Sequence, residues 1–329
     1  MSVKTLNWSV QLDDGDDVVD VTDKVSKATI SLGIGQQAAA TVSFHTLPAI
    51  NHNYGVYIYA MLGSGTPPIL FNGLADGLDY NLDDTRLEVT CTDWLARLNE
   101  EWSRDARTYT SQDSSAVVQN LVEASGVDVS LTDIQAPSGW TLGVAAPVVL
   151  QTGQTPLDLI RQIDEAEPLW TTFTASNGAV TRRPIVRGTS AQTYDYGSSP
   201  LISGTVGYSL KGLYNAAKVT GAVYNGVPVE EVAQASSVHV PDPPQYRTIR
   251  LNSPLIEDPT RAATVAAALV DYYNIPPTVA RLHCTLHKRD PAETIAIGGW
   301  SDYIFVTRVT HTIGGGEATT DIEGLEPPA

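Results

Sequence analysis

The sequence predicts a mainly β protein with an α+β insert: two small β-barrel domains separated by a mixed α/β segment, with bounds at 1–103, 104–190 and 191–329. Three observations predict it. Apolar residues recur at every second position through the first hundred residues and again after about residue 191, the period of a sheet with one buried face. Between these blocks the period changes to that of amphipathic helices. A length of 329 residues also asks for more than one packing unit, since domains run to roughly 100–200 residues each.

The first block opens with a hairpin, because Asp14-Gly15 separates WSVQL from VVDVT and supplies residues that tolerate positive φ. Strands follow in which Ala28, Ile30 and Leu32 alternate with Lys27, Thr29 and Ser31. Ala40, Val42 and Phe44 then alternate with Thr41, Ser43 and His45. Leu78, Tyr80 and Leu82 alternate with Asp79, Asn81 and Asp83, and Leu87, Val89 and Cys91 with Arg86, Glu88 and Thr90. Many short strands in succession suggest a closed or half-closed barrel. The block ends in a short helix from Trp94, with Asp93 placed to cap it.

In the insert, DSSAVVQNLVEAS over 113–125 sets Val117, Val118, Leu121 and Val122 on one helical stripe and stops at Gly126. A second helix starts at Thr155-Pro156, a cap followed by proline at the first helical position. It turns Leu157, Ile160 and Ile163 inward and ends before Pro168. The second β block holds one helix, about 258–274, opened by Asp258-Pro259 and closed by Pro276-Pro277. DYIFVTRVTHTI, Gly314-Gly315-Gly316 and EATTDIEGL then form a terminal hairpin. The two β blocks are candidates for distant copies of one barrel.

Composition narrows the function. Lys and Arg total 20 against 37 Asp and Glu, a net charge of −17, which repels nucleic-acid phosphates and anionic lipid heads. No sequence-specific nucleic-acid binding is expected. No apolar run approaches the ~20 residues of a membrane span, so no stable membrane insertion is expected either. MSVKTLNWSVQL lacks the pattern of a secretory signal. Cys91 and Cys284 lie far apart within strand-like segments, and both read as small buried apolar residues.

Each tempting chemical site has an ordinary structural reading. The carboxylates of Asp13, Asp14, Asp16, Asp17 and Asp20 are candidate calcium ligands, but they depart from the EF-hand spacing and read as a solvated hairpin tip. His283 and His287 have zinc-like spacing, yet on a strand the four-residue separation puts them ~13 Å apart. His311 and His45 are read as outward-facing strand residues. Gly33-Ile34-Gly35-Gln36-Gln37-Ala38 matches a dinucleotide fingerprint formally, but a strand rather than a helix follows. The pairs Glu165 with Glu167 and Glu100 with Glu101 could cleave glycosidic bonds if they lined a cleft, with Glu165 and Glu167 expected on a solvated face. Tyr57, Tyr59, Tyr194, Tyr196, Tyr272 and Tyr273 look exposed, fit for stacking on sugars or for a protein interface. Nothing assembles a nucleophile, base and orienter, so no catalytic, cofactor-binding or metal-binding residue is expected and the protein reads as structural, not an enzyme.

The order of short motifs adds a resemblance. Asp20-Val21-Thr22-Asp23-Lys24-Val25 leads into a strand; Leu70-Phe71-Asn72-Gly73-Leu74-Ala75-Asp76 precedes LEVTCTDWLARL; SSAVVQNLVEASGV and TPLDLIRQIDEAEPLWTTFTASNGAVTRRP follow; FVTRVTHTIGGGEATTDIEGL closes. In that order they resemble the tail hub family of bacteriophages, the baseplate or tail-tip hub proteins related to the late control protein D group. Glu167-Pro168-Leu169-Trp170 departs from the glycine-containing turn usual there. The resemblance implies two β-barrel hub domains that form, in a homotrimer, a pseudo-sixfold ring around the DNA path. Such a ring joins the sixfold tail tube or distal tail ring to a threefold tail spike or central fibre, with the tape measure protein as a further partner. It implies a place in the virion, at the tail tip or baseplate, after synthesis in the host cytoplasm. The chain ends at GLEPPA after the closing hairpin, so no fused cell-wall hydrolase domain is expected. The alternative is an all-β glycan-binding or glycan-hydrolysing tail protein, and a bacterial injection-system hub shares the same physics.

Overall fold

A computed structural model describes residues 5–46, 48, 50–51, 54–81, 86–100, 106–135, 138–185, 192–195, 197–198, 200–208, 213–235, 246–274, 278–300 and 303–326. The protein is mainly β. Among the described residues thirteen strands make one sheet whose path runs 201–208, 278–285, 317–325, 303–314, 25–33, 39–44, 86–92, 69–81, 55–62, 6–13 and 18–20, with 294–297 and 192–194 branching from it. The two β blocks of the sequence therefore share a sheet, and among the described residues its path does not close on itself.

The strand Tyr303–Gly314 makes the junction. One edge pairs from Phe305 onward with Glu317–Leu325. The other edge pairs first with Thr294–Ile297 and then, from Arg308 onward, with Val25–Gly33. Its inward residues divide accordingly. Ile304, Val306 and Val309 belong to one apolar cluster with Tyr194, Leu282, Cys284, Ile295 and Ile322. Ile313 belongs to another, with Val10, Ile30, Val42, Phe44, Ile58, Phe71 and Val89. One sheet thus curls around two cores, each built from alternate residues of its strands.

The strand register follows the sequence period where no bulge intervenes. Ala28, Ile30 and Leu32, then Ala40, Val42 and Phe44, then Leu87, Val89 and Cys91 are all buried. The opening hairpin pairs Asp13 with Val18. Gly73 sits where Cβ would lie 2.2 Å from the Thr92 carbonyl oxygen, so a side chain there would push the strands apart. Leu78 departs from expectation, being half exposed beyond the Ala75–Gly77 bulge near the tip of its strand. Leu82 lies outside the described residues, as do the side chains of Tyr80 and Asn81.

Four α-helices are present among the described residues: α1 (Trp94–Glu100), α2 (Ser114–Ala124), α3 (Pro156–Ala166) and α4 (Pro259–Tyr273). Each starts where the sequence offers an acceptor for its free amide groups. The Asp113 carboxylate accepts from Ser115 N, Thr155 and Asp158 form a reciprocal capping box, and Asp258 accepts from Arg261 N. A third apolar core joins the four helices, the mixed sheet of 132–134, 170–174 and 180–184, and strands 216–224 and 227–234, so residues 216–235 and 249–270 pack with the insert. The loop at 175–178 touches both β blocks: Asn72 Nδ2 donates to the Asn177 carbonyl at 2.9 Å, and Ser176 N donates to Asp290 Oδ1 at 2.6 Å.

Candidate functional site

The acidic hairpin tip stays in solvent. Asp14 Oδ1 accepts from Asp16 N at 3.0 Å and Asp17 N at 2.8 Å, and these amides hold its carboxyl below the usual range. Its oxygens thus shape the turn rather than converge on a common centre. Gly33-Ile34-Gly35-Gln36-Gln37-Ala38 forms the turn into strand Ala39–Phe44, with no helix behind it to receive a phosphate.

The histidines have separate partners. His283, on strand Thr278–Thr285, lies 2.7 Å from Asp321 on the neighbouring strand. His287 lies past that strand's end. Its Nδ1 donates to the Thr285 carbonyl at 2.7 Å and Nε2 accepts from the Tyr194 hydroxyl at 2.7 Å, an arrangement for the neutral ring. Burial holds its pKa below the ordinary value. Arg289 Nε in turn donates to the Tyr194 oxygen at 2.8 Å.

Two expectations about these side chains are corrected. His311 is fully buried rather than outward, with Nδ1 3.0 Å from Thr320 Oγ1, and burial pushes it down to about 3. The cause is the bulge between Val306 and Arg308. It inserts one residue, so the inward phase passes from Ile304 and Val306 to Val309, His311 and Ile313. Tyr194 is likewise buried, packed with Ile295 and Ile297 in the C-terminal core, so it presents no face to a ligand. Tyr57, Tyr59, Tyr272 and Tyr273 are partly buried, His45 is exposed, and Tyr196 lies outside the described residues.

The carboxylate pair separates. Glu165 is exposed, but Glu167 is buried, contrary to the solvated face expected for it. Where α3 ends, Pro168 stops the helix and the chain turns into strand Trp170–Thr174. That turn brings the Glu167 carboxylate onto Arg182, an ion pair in which Oε2 also accepts from Ser114 Oγ at 2.5 Å. Arg182 is itself fully buried. It donates to Asp164 at 3.3 Å and Ser115 Oγ at 2.8 Å, and its guanidinium lies 4.8 Å from the Trp170 ring centre. Sequence reading missed this network. The available signal was an arginine in phase with buried Val180 on strand Val180–Pro184, where only a paired charge can sit.

Beside Glu167 lies a cleft of about 470 Å³ between α4 and the insert, lined by Trp140, Glu167, Trp170, Asp258 and Arg261 among others. The charged groups that line it are already engaged. Arg261 stacks 4.3 Å from the Trp140 ring centre and donates to the Thr141 carbonyl, and Asp258 caps α4. Neither the proton donor nor the water-activating carboxylate that glycoside cleavage needs is free there. Glu101 and the side chain of Glu100 lie outside the described residues. Cys91 and Cys284 are free and buried, and burial pushes both thiols up to about 12, away from nucleophilic use. Among the described residues no helix is long and apolar enough to cross a membrane, and no group of three or more His, Cys, Asp or Glu could hold a metal ion.

Exposed apolar side chains lie on the hairpin 216–234, at Val223, Val227 and Val232, and at the two ends of the large sheet's path. Val18 and Val19 on the strand Val18–Asp20, and Ile202 and Tyr208 on the strand Leu201–Tyr208, are all more than one-third exposed. Both strands pair on one side only among the described residues.

No protein-family model matches the chain, and no curated protein matches it in sequence. Solved structures do match its fold. The 43 kDa tail protein of prophage MuSo2 from Shewanella oneidensis superposes with a TM-score of 0.68 at 10% identity, over 97% of either chain. The tail protein from Neisseria meningitidis MC58 gives 0.69 at 9% identity, again over 97% of each. An Escherichia coli protein described as a component of the type VI secretion system, with structural similarity to the T4 bacteriophage tail proteins gp27 and gp5, gives 0.57 at 12% identity. That match covers 99% of this chain and 77% of the other. The fold of this chain is therefore that of phage and prophage tail proteins.

Proposed function

We propose that this protein is the structural hub of a phage tail tip or baseplate. Three copies form a pseudo-sixfold ring that joins the sixfold tail tube or distal tail ring to a threefold spike or central fibre. The observation that carries this reading is the sheet curled around two separate cores that share strand Tyr303–Gly314, one at Ile304–Val309 and the other at Ile313. Each half acts as one barrel-like unit, so three chains offer six similar units to a sixfold neighbour. The division into 1–103, 104–190 and 191–329 belongs to the same proposal, with residues 216–235 and 249–270 sharing an apolar core with the insert. The fold shared with tail proteins over nearly the whole chain supports it. A net charge of −17 suits a conduit that passes DNA without holding it. The occupied carboxylates at Glu167 and Asp164 argue against glycan cleavage.

The test is multi-angle light scattering of the purified chain, followed by electron microscopy of the particles. A mass of three chains and end-on views of a ring with six similar lobes are expected. A monomer that turns over cell-wall glycan would overturn the proposal in favour of the glycan-processing reading.

A further inference from the structure

An exposed sheet edge normally carries a device against unwanted pairing: a lysine, a proline, an inward charge or a very short strand. The strand Leu201–Tyr208, LISGTVGY, carries no charge and no proline and is eight residues long. Residues Ile202, Ser203, Gly204 and Thr205 are exposed in succession. Successive residues point to opposite faces, so neither face of the strand is covered there. At the other end of the path Val18, Val19 and Asp20 show the same pattern of unbroken exposure. Val18 is 58% exposed and Val19 53%, while Ile202 is 52% and Tyr208 66%.

The charges around the two ends differ. The Val18–Asp20 edge is flanked by exposed Asp14, Asp16 and Asp17 and ends in Asp20, so two such edges repel each other. Beside the other edge, Arg281 stands opposite Thr205 in the adjoining strand. Its side chain is 71% exposed and its Nε is 3.6 Å from the nearest Glu323 oxygen. A neutral strand bordered by an arginine is the complement of an apolar strand bordered by carboxylates.

We infer that in the assembled protein the Leu201–Tyr208 edge of one copy takes the Val18–Asp20 edge of the next, with Val18 and Val19 against Ile202 and the aspartates toward Arg281. The occupant is a second copy of this chain, and the contact is head-to-tail, the kind that closes into a ring when the rotation allows. This inference rests on the trimeric reading above and names the surface through which it forms.

The test uses the full chain in five forms: wild type, the single variants Val19→Cys and Ser203→Cys, the double variant carrying both cysteines, and Ile202→Lys. The single variants are treated with a short bis-maleimide, separately and as an equimolar mixture, beside light scattering of each sample. Native Cys91 and Cys284 are buried, so wild type serves as the unlinked control. Cross-linked pairs are expected in the mixture and in neither variant alone. In the double variant a ladder to three chains is expected. Ile202→Lys, which places a natural edge-blocking charge on the strand, is expected to lose the three-chain mass while keeping the wild-type circular dichroism spectrum. A three-chain mass with no cross-link in the mixture overturns this inference and leaves the trimer standing. Cross-linking of Ser203→Cys alone shows like edges meeting and overturns it too. Wild type that remains a monomer overturns both.

Discussion

Asp93 offers a prediction whose sign the structure decides. Its carboxylate is fully buried at the start of α1, where Oδ2 accepts from Ala38 N at 2.6 Å and Oδ1 from Ala96 N at 3.0 Å. Burial raises its pKa from 3.8 to about 6, opposed by these amide hydrogen bonds. A carboxyl raised in the folded state binds its proton there while the unfolded chain has already lost it. Its contribution to stability is therefore full below about pH 3.8, declines as pH rises toward 6, and is flat above. At about 1.4 kcal/mol per pH unit, that interval corresponds to a loss of about 3 kcal/mol. Asp93→Asn keeps the shape and removes the titration. The variant should gain on wild type by about 2 kcal/mol between pH 4 and pH 7, the part of the full interval that this range spans, whatever its offset from one amide facing a backbone donor. Urea unfolding followed by tryptophan fluorescence at pH 4, 5.5 and 7 measures that difference, in which all other titrating groups cancel. A variant that instead loses ground on wild type as pH rises would show that the amide bonds outweigh desolvation, and the reasoning would fail.

Three more predictions follow from packing. Glu167→Ala strips a partner from buried Arg182 and should cost about 3–5 kcal/mol in urea unfolding, whereas Glu167→Leu combined with Arg182→Met should recover most of that loss. Gly314→Ala should cost at least about 2 kcal/mol, because φ is +89° and Cβ would meet the Ser26 carbonyl at 2.4 Å; Gly315→Ala, also at positive φ but with only Lys27 Cδ near at 3.8 Å, should cost less. Equal melting temperatures for the two glycine variants would refute that assignment. Leu78→Ser should leave stability within about 0.5 kcal/mol of wild type, while Val89→Ala in the register-paired strand should cost about 2 kcal/mol, a contrast read directly from two denaturation curves.

Local signals carried the elements a long way. Asp113, Thr155 and Asp258 mark helix starts because a capping oxygen acts within three residues of its own position, and all three helices begin at those residues. The alternation through Ala28, Ile30 and Leu32 names the buried face because side-chain direction along a strand is set by neighbouring residues alone. The same logic failed at His311, where one inserted residue at a bulge reversed the phase. It failed again at Glu167, where the chain's turn beyond Pro168 placed a carboxylate against an arginine 15 residues away.

The sequence by itself determined the β blocks, the helical insert between them, the acidic surface and the absence of any local catalytic motif, since each of these follows from composition or from spacing within a few residues. Only the tertiary structure decided that both β blocks share one sheet through Tyr303–Gly314, that residues 216–235 and 249–270 pack with the insert, and that Arg182, Glu167 and Asp164 meet in the interior. These depend on contacts between residues far apart along the chain. Which distant strands pair is settled by the burial that the whole fold achieves at once, and no short segment encodes it.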